Sequence, residues 1–198
     1  MSLRARLEGA LAAAGRPSSD YDLNPSVTSP DRQLRDAAVL IGVVDQAEPV
    51  VLLTKRSSAL KHHPGQIAFP GGKVDSGDKD VIAAALREAR EEIALEGAEV
   101  LGTLAAHETV TGFNVTPVLA LVSPGFVPVP EPGEVAEAFE VPLAHLMNPS
   151  NYLIESRRWR GQRRYYFTVP WGPYYVWGAT ARMLRALADR MNDGADRG

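Results

Sequence analysis

Leu3, Leu7, Ala10 and Leu11 recur at the spacing of one helical face, and Gly15, Arg16 and Pro17 end the run, so the chain opens on an amphipathic helix. The polar stretch from Ser18 to Asp31 has no period and reads as an irregular connection. Two apolar runs follow, Ala37 to Val44 and Pro49 to Arg56, and the polar residues between them predict a hairpin of two buried strands. The clearest helical period runs from Asp80 to Leu95, with Asp78 or Asp80 placed to cap its first turn. Strands are predicted at Glu99 to His107 and Val115 to Leu121, then a Pro-rich loop from Ser123 to Glu134. Ala136 to Pro149 predicts a short strand and a short helix, and Tyr152 to Pro170 a hairpin turning at Arg160, Gly161 and Gln162. A helix from Ala179 to Met191 closes the chain. No repeat or linker divides this order, which predicts one α/β or α+β layered domain over 1–198, with residues 1–34 packed on it.

Composition narrows the class. With 198 residues, 45% of them hydrophobic, the chain can bury a real core. A net charge of -3 supplies no general basic field, so neither nucleic acid nor an anionic membrane surface is an expected partner, and any anion recognition must be local. The absence of cysteine removes disulfide frameworks, thiolate zinc sites and cysteine nucleophiles. The first residues do not read as a secretory signal, and no window approaches the roughly 20 apolar residues of a membrane span. The expectation is a soluble, cytoplasmic protein.

The helix at 80–95 carries the chemistry. Glu88, Glu91 and Glu92 are related by i, i+3 and i+4, so three carboxylates share one patch, and Glu92 lies at the edge of the apolar stripe of Ile82, Ala85, Leu86, Ala89 and Ile93. Like charges at that spacing repel, and acids in the last turns oppose the helix dipole. A divalent cation reverses both penalties, and a small open carboxylate cluster suits a hard ion such as Mg²⁺. The plainer alternative is a solvated face paired internally through Arg87 and Arg90. The segment before the helix, Phe69-Pro70-Gly71-Gly72-Lys73, has the turn chemistry that brings backbone N–H groups close to an anion. Asp75, Asp78 and Asp80 lack the order of a calcium loop and read as turn and cap residues.

In Gly72 and Arg87-Glu88-Ala89-Arg90-Glu91-Glu92-Ile93-Ala94-Leu95 the sequence resembles the Nudix hydrolase signature. It departs in one extra residue before Arg87, in Asp78 near the place of the first glutamate, in the small Ala89 and in Ala94 for the last glycine. The longer spacing, with Leu52-Leu53-Thr54-Lys55-Arg56-Ser57, Gly65 and Phe69-Pro70-Gly71-Gly72 upstream, is similar to the coenzyme A pyrophosphatase branch. The resemblance implies the Nudix fold, an α/β/α sandwich around a mixed sheet, and hydrolysis of a nucleoside diphosphate linked to another group.

It further implies Mg²⁺ or Mn²⁺ on Glu88 and Glu92, with Glu91 a third ligand directly or through water. Arg87 is expected to orient Glu91, while Glu91 or Glu134 is the general base. Arg56, Lys61, His62, Gly65, Gly71 and Gly72 are the expected substrate contacts, with Lys55 and His63 adding positive charge. The substrate class is a small molecule of the coenzyme A kind, bound by a monomer or homodimer. ADP-ribose or a dinucleotide is the alternative substrate, and a non-catalytic nucleotide-binding regulator the alternative from another class. Tyr165, Tyr166, Trp171, Tyr174, Tyr175 and Trp177 either stack a base, line a pantetheine channel, or pack as sheet residues. The arginines of "RRWRGQRR" read as a solvated face or subunit contact.

Overall fold

The computed structural model describes residues 1–195 except 28, 61, 62 and 160. Its central strand, β2 (Arg35–Val44), runs parallel to β8 (Phe113–Val122) over the whole length of both, from Arg35↔Phe113 to Val44↔Val122. Alternate residues of β2 serve two cores. Ala37, Ile41 and Val43 face a layer that includes Leu7 of helix α1 (Leu3–Ala12) and Leu184 and Leu187 of helix α4 (Gly178–Ala195). Ala38, Leu40 and Val44 face Ala84, Ala85, Ala89 and Ile93 of helix α2 (Val81–Ile93). Burial on both faces is why these strands read as continuous apolar runs. The result is the expected α/β/α layering.

The predicted hairpin forms, then splays. β2 pairs with β3 (Val50–Arg56) only at Val43↔Val51 and Val44↔Val50, because β5 (Gly71–Lys73) takes the same edge of β2 at Ala37 to Val39. β3 turns instead to β9 (Val135–Pro142) and to the two-residue β4 (Ile67–Ala68). A fork in the sheet thus opens where Gly71 and Gly72 lie.

The strand expected at Glu99 to His107 is two strands, β6 (Glu99–Thr103) and β7 (His107–Glu108), both antiparallel to β8. The break falls opposite Pro117. In a strand the N–H and C=O of one residue point to the same edge, and Pro117 accepts from the Leu104 N–H at 2.9 Å but has no N–H to return. The segment before β2, read as irregular, contributes β1 (Ser18–Ser19), parallel to β7. A buried chain of polar groups fixes it there, Ser18 Oγ to His107 Nδ1 at 2.9 Å and His107 Nε2 to Asp20 Oδ1 at 3.1 Å. A short helix α3 (Leu143–Leu146) follows β9, and the late hairpin is β10 (Leu153–Trp159) with β11 (Gln162–Thr168), a separate two-stranded sheet.

Candidate active site

Asp80, extended and with its side chain accepting the Ala83 N–H at 2.8 Å, starts α2, which is anchored by small residues that allow a close approach to the sheet. The next turns deliver three glutamates to three environments. Glu92 is buried, 5% exposed, with Oε2 accepting the Gly71 N–H at 3.3 Å. Glu88 is half-buried against the glycine pair, and Glu91 is exposed.

The glycines are explained by space. A Cβ on Gly72 would lie 2.3 Å from Glu88 Oε1, inside the carboxylate itself. On Gly71 it would lie 2.4 Å from the Ala38 carbonyl oxygen and 2.7 Å from Val39 Cα. Both residues must lack a side chain for the loop, the sheet and the helix carboxylates to meet.

Arg87 links the loop to the helix. Its Nε and Nη2 take Asp78 at 3.0 and 2.9 Å, Nη2 also donates to the Lys73 carbonyl at 3.1 Å, and Nη1 reaches both Glu88 and Glu91 at 3.0 Å. The Arg87 contacts hold Asp78 below the usual carboxylate range, helped by the Asp75 N–H, and Asp78 in turn raises Arg87 above its ordinary value. The expected pair with Glu91 is therefore one arm of a larger clamp. Asp78, which replaces the first glutamate of the signature, is its main anchor.

Burial pushes Glu92 up to about 7, a shift opposed by the Gly71 N–H and by Arg56 and reinforced by Glu88 and Glu134. Glu88 is also raised by burial, against the pull of Arg87, with Glu91 and Glu134 adding to the rise. Four carboxylates thus repel one another across the fork of the sheet. Among the described residues, no three acidic or imidazole groups close around one point. The donor set still fits a hard divalent cation: a buried carboxylate with one long hydrogen bond, a neighbour seated in a glycine cradle, and oxygen atoms throughout. Such an ion would relieve the burial and the repulsion together.

Arg56, at the end of β3, is half-buried, and its Nε is buried without a hydrogen-bond partner among the described residues. It faces the carboxylates closely enough to lower Glu92, which makes it a cation ready for an anionic group. Glu134 is exposed at the start of β9, where its carbonyl accepts the Ser57 N–H at 2.8 Å. The Pro-rich loop before it is pinned on α2, since Val129 and Glu131 donate to the Ile93 and Glu92 carbonyls at 3.1 and 2.9 Å. That docking brings Glu134 beside the helix.

The loop between β3 and β4 is placed in part. Gly65 adopts a left-handed φ of 70° and donates to the Arg56 carbonyl at 3.1 Å, a turn role, and its Cβ position is open. Lys61 and His62 lie outside the described residues. His63, Tyr165, Tyr166 and Trp177 line a neighbouring cavity, together with Arg157 and Arg164 of the hairpin expected to be a solvated face. The expected solvated face holds for Arg157, Arg158 and Arg163, which are exposed, while Arg164, the cross-strand partner of Arg157, is half-buried, a difference readable only once the hairpin's register is known.

The sandwich, the loop and the carboxylate helix define a Nudix-type hydrolase. The NUDIX domain family profile matches residues 33–161, more than half of the sequence, and the chain belongs to that family, as a pyrophosphatase. A Nudix hydrolase NudL of Citrobacter koseri is 45% identical over 168 residues, covering 84% of this chain and 88% of the relative. The NudL of Cronobacter sakazakii is 43% identical over 168 residues, with the same shares, 84% and 88%. The crystal structure of a MutT protein from Methanosarcina mazei Go1 has a like fold, with a TM-score of 0.52 at 19% identity over 83% of this chain and 99% of that one. Nudix hydrolases generally use divalent metal ions. No described helix is long and apolar enough to cross a membrane.

Proposed function

We propose that this chain hydrolyses the diphosphate bond of coenzyme A or its derivatives with Mg²⁺ or Mn²⁺. The products are adenosine 3',5'-bisphosphate and 4'-phosphopantetheine or its acyl form. The reading takes 1–198 as one catalytic domain, cytoplasmic, acting as monomer or homodimer. It is carried by the meeting of two motifs: Arg56, from the stretch that resembles the coenzyme A branch, acts electrostatically on Glu92 of the Nudix helix, and its Nε has no hydrogen-bond partner among the described residues.

The substrate diphosphate is anionic and repels a nucleophile, so the site must offset charge and place a water. Glu88 and Glu92, with Glu91, hold the cation, which supplies Lewis acidity and an acidified water when bound. Arg56 receives non-bridging oxygens beside the bare backbone of Gly71 and Gly72, and Lys61, His62 and Gly65 are the further substrate contacts of this reading. Arg87 positions Glu88 and Glu91 through its hold on Asp78. Glu91 or Glu134 takes the proton of the attacking water as its oxygen bonds to phosphorus. The bond from that phosphorus to the bridging oxygen breaks, and the bridging oxygen leaves on the other phosphate.

Product analysis with coenzyme A and Mg²⁺ or Mn²⁺, for wild type and Glu92→Gln, tests this. The expected result is adenosine 3',5'-bisphosphate formed only with metal and a loss of at least about 10²-fold in the variant. Intact coenzyme A after incubation with either metal would sink the substrate assignment, and cleavage of ADP-ribose in its place would redirect it.

A further inference from the structure

Beside the carboxylate site, the β10–β11 hairpin, the start of α4 and residues 109–111 enclose a cavity of about 310 Å³. That lies in the usual range for small-molecule pockets, about 300–1,000 Å³. Val39 and Phe69 form part of its wall on the α1–α4 face of the sheet, where Val39 Cγ1 lies against Gly71, so the cavity borders Gly71 on the face opposite the one where Gly72 meets Glu88.

Its far wall is built from arginines laid on aromatic rings. The Arg157 guanidinium sits 4.2 Å from the Trp177 ring centre, and Arg164 lies 5.2 Å from Trp159 and 5.0 Å from Tyr21. Tyr166 meets Trp177 edge to face at 5.2 Å. Among the described residues neither arginine has a carboxylate partner, and Arg164 Nε is buried with no hydrogen bond. The nearby acid, Asp20, is committed elsewhere, Oδ1 to His107 at 3.1 Å and Oδ2 to the Val110 N–H at 2.8 Å. The buried donor of Arg164 is costly to leave unpaired, and Arg157, its exposed cross-strand neighbour, adds a second guanidinium, so the pair suits an anion.

We infer that this cavity receives the nucleoside end of the substrate, its base against the aromatic wall and a phosphomonoester, separate from the scissile diphosphate, on Arg157 and Arg164. This rests on the reading of the substrate as a nucleoside diphosphate compound whose ribose carries a further phosphate. A pantetheine arm offers only neutral amides, a hydroxyl and a thiol, and has neither a flat ring nor a dianion for these groups. The cavity thereby decides which half of the substrate lies on which side of the cation site.

The test is calorimetric titration of adenosine 3',5'-bisphosphate and of AMP into the full-length protein with Mg²⁺, for wild type, Arg157→Gln and Arg164→Gln. Thermal unfolding of each variant checks that it folds. The bisphosphate should bind about tenfold or more tightly than AMP, and each substitution should remove most of that advantage while leaving AMP binding within about threefold. Equal affinity of wild type for the two nucleotides overturns the inference without any variant. So does competition by 4'-phosphopantetheine that either substitution weakens. If coenzyme A is not cleaved but the arginine-dependent preference appears, the cavity assignment stands and the group beyond the diphosphate must differ. If coenzyme A and its 3'-dephosphorylated form are cleaved at equal rates, the hydrolase reading stands and the cavity assignment falls.

Discussion

Glu92 shows at residue scale how the site stores opposition to its own fold. Its carboxylate is 5% exposed, holds one N–H at 3.3 Å and stands among Glu88 and Glu134. Burial moves it from the ordinary carboxylate value of 4.5 to about 7, so the folded protein binds a proton there more tightly than the unfolded chain does. Metal-stripped protein should therefore lose stability as pH rises from the first of these values through the second, by on the order of 3 kcal/mol. Glu92→Gln should flatten that fall and unfold at higher denaturant than wild type in EDTA at pH 8. Adding Mn²⁺ should stabilise wild type and leave the variant unmoved. A variant less stable than wild type at pH 8 would mean that the carboxylate is not a burden in the folded state. The carboxylate patch is legible in the sequence because helical spacing alone brings Glu88, Glu91 and Glu92 together. Asp78 as the anchor of Arg87 is not, since that pairing depends on how the Asp75–Asp78 turn folds back onto α2.

At the scale of the element, the end of α2 departs from the family signature in a way that carries a measurable cost. Ala94 stands where the signature has glycine, and it takes the left-handed conformation, φ 56° and ψ 30°. Its N–H reaches the Arg90 carbonyl at 3.0 Å and the Leu95 N–H reaches Ala89 at 3.2 Å, the bonding of a helix-ending turn that glycine enters without strain. Ala94→Gly should stabilise the protein by about 0.5–1 kcal/mol in urea denaturation, with kcat unchanged, because the cap lies beyond the last glutamate. Destabilisation would show that the alanine methyl contributes packing that outweighs the strain. Elements of strong period, such as α2, β2 and β3, are legible in sequence. β5 is not, because Gly-Gly-Lys has no apolar alternation and becomes a strand only by filling the edge that β3 leaves open.

For the whole molecule, the question is what joins the β10–β11 hairpin to the rest, since among the described residues its strands share no ladder with the nine-stranded sheet. Phe167 packs on the core that includes α4, and one buried side chain ties the hairpin to the segment before β2. Asn24, 3% exposed, donates to the Tyr165 carbonyl at 2.9 Å and to that of Asp20 at 3.1 Å, and its oxygen accepts the Tyr165 N–H at 2.8 Å. The amide thus imitates a neighbouring strand for β11, and the segment between α1 and β2 becomes the clasp of the hairpin. In the sequence Asn24 is one polar residue in a stretch without period, and only the long-range fold gives it this role. Asn24→Ala leaves both main-chain groups of Tyr165 without their partner and should cost about 2–3 kcal/mol. Because the loss is local to one joint, hydrogen exchange should quicken in β10 and β11 while the α2 amides keep most of their protection. The aromatic wall of the cavity rides on those strands, so the same variant should weaken binding of adenosine 3',5'-bisphosphate more than it weakens Mn²⁺ binding at the carboxylates. Equal acceleration of exchange in α2 and in the hairpin would instead make Asn24 an ordinary contributor to global stability, with no separate hold on the cavity.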